Sequence, residues 1–440
     1  MLLGRETGTA SARGTMRTTA RLFVAGLSAV GLTAVGLGAG TAGASGGGTL
    51  TFAMDQAFTG GTSIDGVAEA SGCYPAVLVV NGAGGVLGHK IQCIPVDTRG
   101  DPSDAIPATE KLLATTSTLV GVLGPESSTA TAIVPLLTKA HIPMITQDGL
   151  SLYTHNKDPY FWRNYPADDF GGSALAYWAI KKGLKKGALL FDNTVAAQAS
   201  VPGLLATYKH LGGKIVADLK VTPDSTSYGS EMHRLLQAKP QVIFTESDPQ
   251  TDATAFRNLL QLGKPIPVYG TNATVIPQWL KDVTKALGKA NMAKYYRGVE
   301  PYAPTYPGTK TFNKELQASA NLVKTWKTWI GQEYSTTPYD SVIIMSLAMT
   351  EAHSTNPSVF NKDISRVTAP GKGKQIVYSY GAGVKALNAG KKIQYIGASG
   401  PTVFNKYHNS FGEYGVYRYV NGTLKLAGKI PAATLSHLPG

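Results

Sequence analysis

Two cysteines in 440 residues, Cys73 and Cys93, are too few for a disulfide-stapled scaffold or for thiolate metal clusters. The eight histidines are equally sparse, and none has a histidine partner three or four residues away, the spacing zinc sites use. We therefore expect no metal site and no cofactor. The chain has no G-x-S-x-G elbow, no H-E-x-x-H and no P-loop, so the common hydrolase, metalloprotease and nucleotide-hydrolysing signatures are missing. Gly82 to Leu87 (GAGGVL) superficially suggests a dinucleotide fingerprint, but it lacks the third glycine. It also follows a predicted helix and precedes a strand, the reverse of what phosphate cradling needs. Charged residues are only 16% and apolar ones 43%, an ordinary globular composition.

The one long apolar run lies at the start. Arg5, Arg13, Arg17 and Arg21 precede Leu22 to Gly40, and Ala42-Gly43-Ala44 supplies small residues for a signal peptidase. Residues 1–44 read as an export signal cleaved near Ala44, with an uncleaved membrane anchor as the alternative. Either Met1 or Met16 can serve as the start. Without that segment, which holds four Arg and one Glu, the formal net charge falls by three from +13 to about +10. The remaining lysines are scattered or paired on helix surfaces, as at Lys181-Lys182. For an exported chain, this argues for solubility or attraction to an anionic envelope and against nucleic acid. In an oxidising compartment Cys73 and Cys93 read as a disulfide that closes a loop of roughly 20 residues.

What the chain does have is a strand–helix rhythm. Gly121 to Gly149 reads as a buried strand ending at Leu123, a polar turn Gly124 to Ser128, a helix to about His141, and a strand Pro143 to Thr146. Both polar turns then fall at the carboxyl edge of one parallel sheet, where open α/β sheets bind ligands. Ser127 and Ser128 either cap the helix or, with its free N–H groups, face an anion. Earlier come a strand from Leu50, a helix from Asp65 to Asn81, a strand Lys90 to Val96 and a helix from Pro102. After Phe161 to Pro166 the rhythm restarts, and the segment around Tyr165 reads as the first linker. Strands are expected to end at Asp192, Val221, Thr245 and Tyr269, with one helix over Ala196 to Leu211. A strand at Pro401 to Phe404 and a hairpin at Tyr414 to Leu426 close the chain. Two successive βα sets predict an α/β protein of two lobes with mostly parallel sheets.

Taken together, Thr59-Gly60, NGAGGVLG at Asn81 to Gly88, Asp97 with Asp101-Pro102, GVLGPESS at Gly121 to Ser128, Phe161 to Pro166 with Asp168, Tyr339-Asp340 and Gly397 to Gly400 resemble the branched-chain amino acid family of solute-binding proteins for ABC transporters. The resemblance implies the type I periplasmic-binding fold: two Rossmann-like lobes joined by a three-segment hinge. Lobe one would be residues 49–166 and 302–404, and lobe two residues 167–301 and 405–432. It further implies a monomer that captures a small-molecule ligand between the lobes and hands it to permease subunits, with a sensing receptor of the same fold as the alternative.

The family's serine turn, which holds a ligand carboxylate, carries over to Ser127 and Ser128. At the next turn, where the family has small hydroxyl residues, this chain has Gln147-Asp148-Gly149-Leu150, and Asp148 either meets an ammonium or hydroxyls at the cleft or serves as a solvated cap. In lobe two, Asp192 lacks the aromatic neighbours usual in the family. Amino acid binders often place an acid near the position of Asn272, and here Ser247 and Asn272 are polar but uncharged. Asp65, Ser127, Ser128, Asp148, Asp192, Ser247 and Asn272 form the expected ligand-binding set, for an amino acid, an amide or a small carboxylate. An enzymatic reading would pair Asp148 with Asp192 as acid and base across the cleft.

Overall fold

The computed structural model describes residues 47–440 except 264, 303, 436 and 440; the expected export signal lies outside them. The first sheet is built from β1 (Gly47–Gln56), β2 (His89–Asp97), β3 (Leu119–Leu123), β4 (Met144–Thr146) and β5 (Phe161–Arg163). All its pairs are parallel, in the order β2-β1-β3-β4-β5. Alternation along β1 sends Phe52 and Met54 to one face and Ala53 to the other, so the sheet is covered twice. Helices α1 (Ile64–Gly82), α2 (Pro102–Thr115) and α3 (Ala130–Lys139) supply the crossovers, with α2 and α3 packed on the Ala53 face.

The second sheet takes β6 (Lys186–Asp192), β7 (Lys214–Val221), β8 (Val242–Glu246), β9 (Val268–Gly270) and β10 (Tyr296–Pro301). Here too alternation works in both directions: Leu190 faces one core and Leu189 the other. Its helices are α4 (Asp168–Lys181), α5 (Val195–Gln198), α6 (Val201–His210), α7 (Gly229–Gln237), α8 (Pro249–Leu262), α9 (Pro277–Leu287) and α10 (Lys289–Tyr295). The chain then returns to the first half through α11 (Pro307–Ala318) and α12 (Glu333–Ala352), which pack on α1 in one core. A small parallel pair, β11 (Gln375–Val377) and β12 (Ile393–Tyr395), follows. The hairpin β13 (Tyr414–Val420) and β14 (Thr423–Ile430) adds antiparallel to β10, giving the order β14-β13-β10-β9-β8-β6-β7.

Several expectations need correction. Residues 161–163, for which no strand was expected, form an edge strand of the first sheet, extended by a bridge from Arg163 to Asn409; the segment around Tyr165 follows it. Three apolar or bulky residues are too few to show a period. The helix expected over Ala196 to Leu211 is two, because Pro202 has no N–H to give and sits instead in the first turn of α6. Pro401 contributes one bridge to Ile396 and no strand follows, since proline cannot donate to a ladder. The chain ends in a short helix, Ala432–Leu435, beyond the hairpin.

Cys73 and Cys93 are bonded, tying α1 to β2. Among the described residues no helix is long and apolar enough to cross a membrane.

Candidate ligand-binding cavity

The ends of β1, β3 and β4 and those of β8 and β9 border one cavity of about 200 Å³. At ~30 Å³ per water molecule, it has room for a solute the size of roughly seven waters. On the first sheet's side, the turn after β3 doubles back against β1 at Gly124. That residue has φ +113°, and a Cβ on it would stand 2.4 Å from the Asp55 carbonyl oxygen, so glycine is required.

The two turns after β3 and β4 are stitched together. Thr146 Oγ1 donates to the Pro125 carbonyl (2.6 Å) and accepts from Asp148 N (2.8 Å). Ser127 Oγ donates to Asp148 Oδ1 (2.8 Å) and accepts from Gly149 N (3.0 Å). Leu150 N also donates to Asp148 Oδ1 (2.9 Å), while Oδ2 has no partner. The Ser127 hydroxyl is thus engaged inside the wall. Neither serine caps α3, whose N-cap position is Thr129.

Helix α1 brings Asp65 and Glu69, one turn apart, to the same cavity. Glu126 joins them, with Oε1 accepting from Thr98 Oγ1. From the second half come Asp168, at the start of α4, and Glu246, whose Oε2 accepts from Ser200 Oγ (3.0 Å). Asp168 N donates to Gly149 O (2.8 Å), and its carboxylate lies over Gly149 so closely that a Cβ there would be 1.7 Å from Oδ2. Asn272 Nδ2 donates to Tyr334 Oη (2.7 Å), linking the turn after β9 to the start of α12. Trp329 also borders the cavity.

Six carboxyl groups therefore line this space, and no Lys, Arg or His is among the lining residues. The nearby Arg163 guanidinium is spent on the wall: Nη1 donates to the Asp148 and Leu150 carbonyls, Nε to Asn409 Oδ1 and Nη2 to Thr154 Oγ1. Burial is the main cause of every shift in this set. It pushes Glu69 up to about 8, helped by Asp65 and Glu126, and Asp65 to about 7, helped by Glu126. Asp168 rises to about 7, helped by Asp148. Asp148 rises to about 6 against the Leu150 N–H, Arg163 and Ser127. Burial also raises Glu126, and raises Glu246 well above the usual range. An added carboxylate would find no cation in this wall, and would be repelled by each of these acids once ionised, by about 4 kcal/mol at 4 Å and an effective dielectric of 20.

Of the residues expected from sequence, Asp65, Ser127, Ser128, Asp148 and Asn272 border the cavity; Asp192 and Ser247 do not. Asp192 accepts from Thr194 N (3.0 Å) in its own turn and from Asp248 N (3.3 Å) in the turn after β8, so it ties two neighbouring strand exits together. The postulated acid/base pair with Asp148 across the cleft therefore does not form. Ser247 is buried beside Glu246 outside the cavity wall, with its hydroxyl unpartnered. Sequence reasoning missed Glu69, Glu126, Asp168 and Glu246. Glu69 stood four residues after Asp65, a usable signal for a shared helix face. The aromatic contribution missing from the second half comes from Trp329 and Tyr334, which no local pattern marked.

A family model described as periplasmic binding protein matches residues 49–410, and the chain belongs to that family. Solved structures agree in fold. A leucine-binding protein from Thermotoga maritima is 17% identical, covering 87% of this chain and 99% of its own, with a TM-score of 0.68. A branched-chain amino acid transporter substrate-binding protein from Streptococcus pneumoniae, solved with isoleucine, is 18% identical over 87% and 99%, with a TM-score of 0.67. An ABC-transporter solute-binding protein from R. palustris, solved with benzoate, is 17% identical over 87% and 97%, with a TM-score of 0.69. These likenesses establish the type I fold and leave the ligand to the cavity's own residues. Among curated protein sequences none matches the chain significantly.

Proposed function

We propose that this chain is the substrate-binding component of an ABC importer. It is exported, captures one small polar solute between its two halves by hinge closure, and presents the closed form to permease subunits as a monomer. One observation carries the reading: a single cavity of small-solute size is walled by strand-end turns of both sheets. A ligand there contacts both halves at once, so it favours the state in which they meet, as hinge closure requires. Asn272 and Tyr334 already join the halves across this space. The family is one of binding proteins, and we assign no reaction to the cavity.

Native mass spectrometry of the mature chain purified from its own host tests the reading. We expect one small molecule per chain, released on unfolding, that raises the melting temperature when added back. If nothing is released, and no fraction of the host's growth medium raises the melting temperature, the reading is overturned.

A further inference from the structure

We propose that the solute is a small organic dication, a diamine or amino-guanidine without a carboxylate, held by the ring of acidic side chains around the cavity. This deepens the receptor reading and rests on it.

Three observations converge. The acidic groups come from both halves: Asp65, Glu69, Glu126 and Asp148 from the first, Asp168 and Glu246 from the second. Glu126 and Glu246 are partly satisfied by Thr98 and Ser200. Among the described residues no donor pairs with the carboxylates of Asp65, Glu69 or Asp168, and Asp148 Oδ2 is likewise unpartnered. Asp148 is only 1% exposed and its Oδ2 is sealed from water, while the carboxylate of Glu69, 5% exposed, faces the cavity. A buried carboxylate without a donor is costly unless something completes it.

An amino acid zwitterion completes only half of this. Its ammonium suits the acidic groups, but no cation in the wall receives its carboxylate, and Ser127 already donates to Asp148. A metal ion is a poor fit for a different reason: no group of three or more acids, histidines or cysteines among the described residues converges as a metal site needs. Charges spread around a cavity of about 200 Å³ match a molecule with two separated cationic ends. Trp329 and Tyr334 offer aromatic surface against which an ammonium or guanidinium can rest.

The pH dependence follows from all the facing groups. Asp65, Glu69, Glu126 and Asp148 of the first half and Asp168 and Glu246 of the second are each raised by burial, with Arg163 behind Asp148 and Tyr334 neutral. Cation binding favours their ionised forms, so affinity rises with pH and protons are released on binding.

Isothermal titration and melting curves at constant ionic strength test the proposal on the mature chain. The cationic arm is 1,4-diaminobutane, 1,5-diaminopentane and agmatine. The other arms are leucine, benzoate and succinate, and calcium chloride. The expected result is one-to-one binding of at least one dication, at least tenfold tighter at pH 8 than at pH 6. In Glu69→Gln and in Asp168→Asn that binding weakens at least tenfold, while the unliganded melting temperature does not fall. No binding in the cationic arm overturns the proposal. Binding confined to leucine, benzoate or succinate overturns it but leaves the receptor reading standing; silence in every arm, with no ligand released from the native protein, overturns both. Binding of calcium alone, or dication binding unchanged in both variants, also overturns it.

Discussion

Two buried acidic neighbourhoods in the first half of the molecule have opposite designs. Asp340, on α12, is fully buried and accepts four hydrogen bonds. Tyr395 Oη (2.7 Å) and Ala398 N (2.9 Å) serve Oδ1, and the backbone N (2.7 Å) and hydroxyl of Ser399 serve Oδ2. Glu69, on α1 in the same core region, is nearly as buried and has no donor. A satisfied buried carboxylate holds structure together; an unsatisfied one bordering a cavity is stabilised by what enters. The sharpest way to break this contrast is Asp340→Ala. Stranding four donors at the junction of α12 and the Gly397–Gly400 loop should cost about 3–5 kcal/mol, read from the denaturation midpoint. A loss below about 1 kcal/mol would place Asp340 in the same class as Glu69.

The Cys73–Cys93 bond bears on the same comparison, because Cys73 lies one turn beyond Glu69 on α1. Above about pH 8, where both are ionised, Asp65 and Glu69 are like charges at a spacing that weakens a helix, and the bond pins that helix to β2. For a 20-residue separation, Cys73→Ser with Cys93→Ser should lower stability by about 3 kcal/mol in the chain-entropy account. If the unliganded cavity is a source of strain on α1, a bound dication should recover part of that loss in melting experiments. Equal losses with and without ligand would separate the disulfide from the site.

These contrasts also show what the sequence made legible. The strand–turn exits at Glu126 to Ser128 and at Gln147-Asp148 could be placed at a sheet edge because buried strands end where polar turns begin. Asp192 gave the same local pattern, yet its side chain caps its own turn at Thr194 and ties it to Asp248 in the turn after β8. An aspartate at a strand exit is equally suited to capping and to binding, and only the tertiary surroundings decide. The family-like marks Tyr339-Asp340 and Gly397 to Gly400 were visible at once, and they prove to be two ends of one structural hydrogen-bond network. Glu69 could be read only as sharing a face with Asp65, not as facing a cavity. It lies inside a helix whose outer faces become distinguishable only once α12 covers one of them. Trp329 and Tyr334 reach the cavity from about 200 residues downstream of Ser127, a juxtaposition that no local period encodes.

A smaller effect, opposite in sign to that of Asp340→Ala, is expected from Glu69→Gln. Burial raises the folded pKa of Glu69 to about 8, and those of Asp65 and Asp168 to about 7, above their unfolded values. For an acid shifted this way the folded state binds more protons. The stability this confers is complete below the unfolded pKa near 4 and is lost as pH rises through 6 to 8. The unliganded chain should therefore melt at a lower temperature at pH 8.5 than at pH 5.5. Glu69→Gln should flatten that slope and add about 1–3 kcal/mol at pH 8.5, since one pKa unit corresponds to about 1.4 kcal/mol. A variant less stable than the parent at that pH would mean that Glu69 has a donor and belongs with Asp340.

The smallest expected change distinguishes the two readings of the serine turn. Ser127 Oγ donates to Asp148 Oδ1 and accepts from Gly149 N, so its hydroxyl is committed to joining two strand-end turns. Ser127→Ala should cost about 1 kcal/mol of stability, the usual worth of such a bond. It should also raise the Asp148 pKa further, because a donor to the ionised form is removed. Dication affinity should then change less than threefold at pH 8, where Asp148 is ionised in either protein. A ligand carboxylate held directly by this hydroxyl would instead lose tenfold or more in affinity. Ser127→Ala therefore reads the sign of the ligand's charge at this turn independently of the acidic variants.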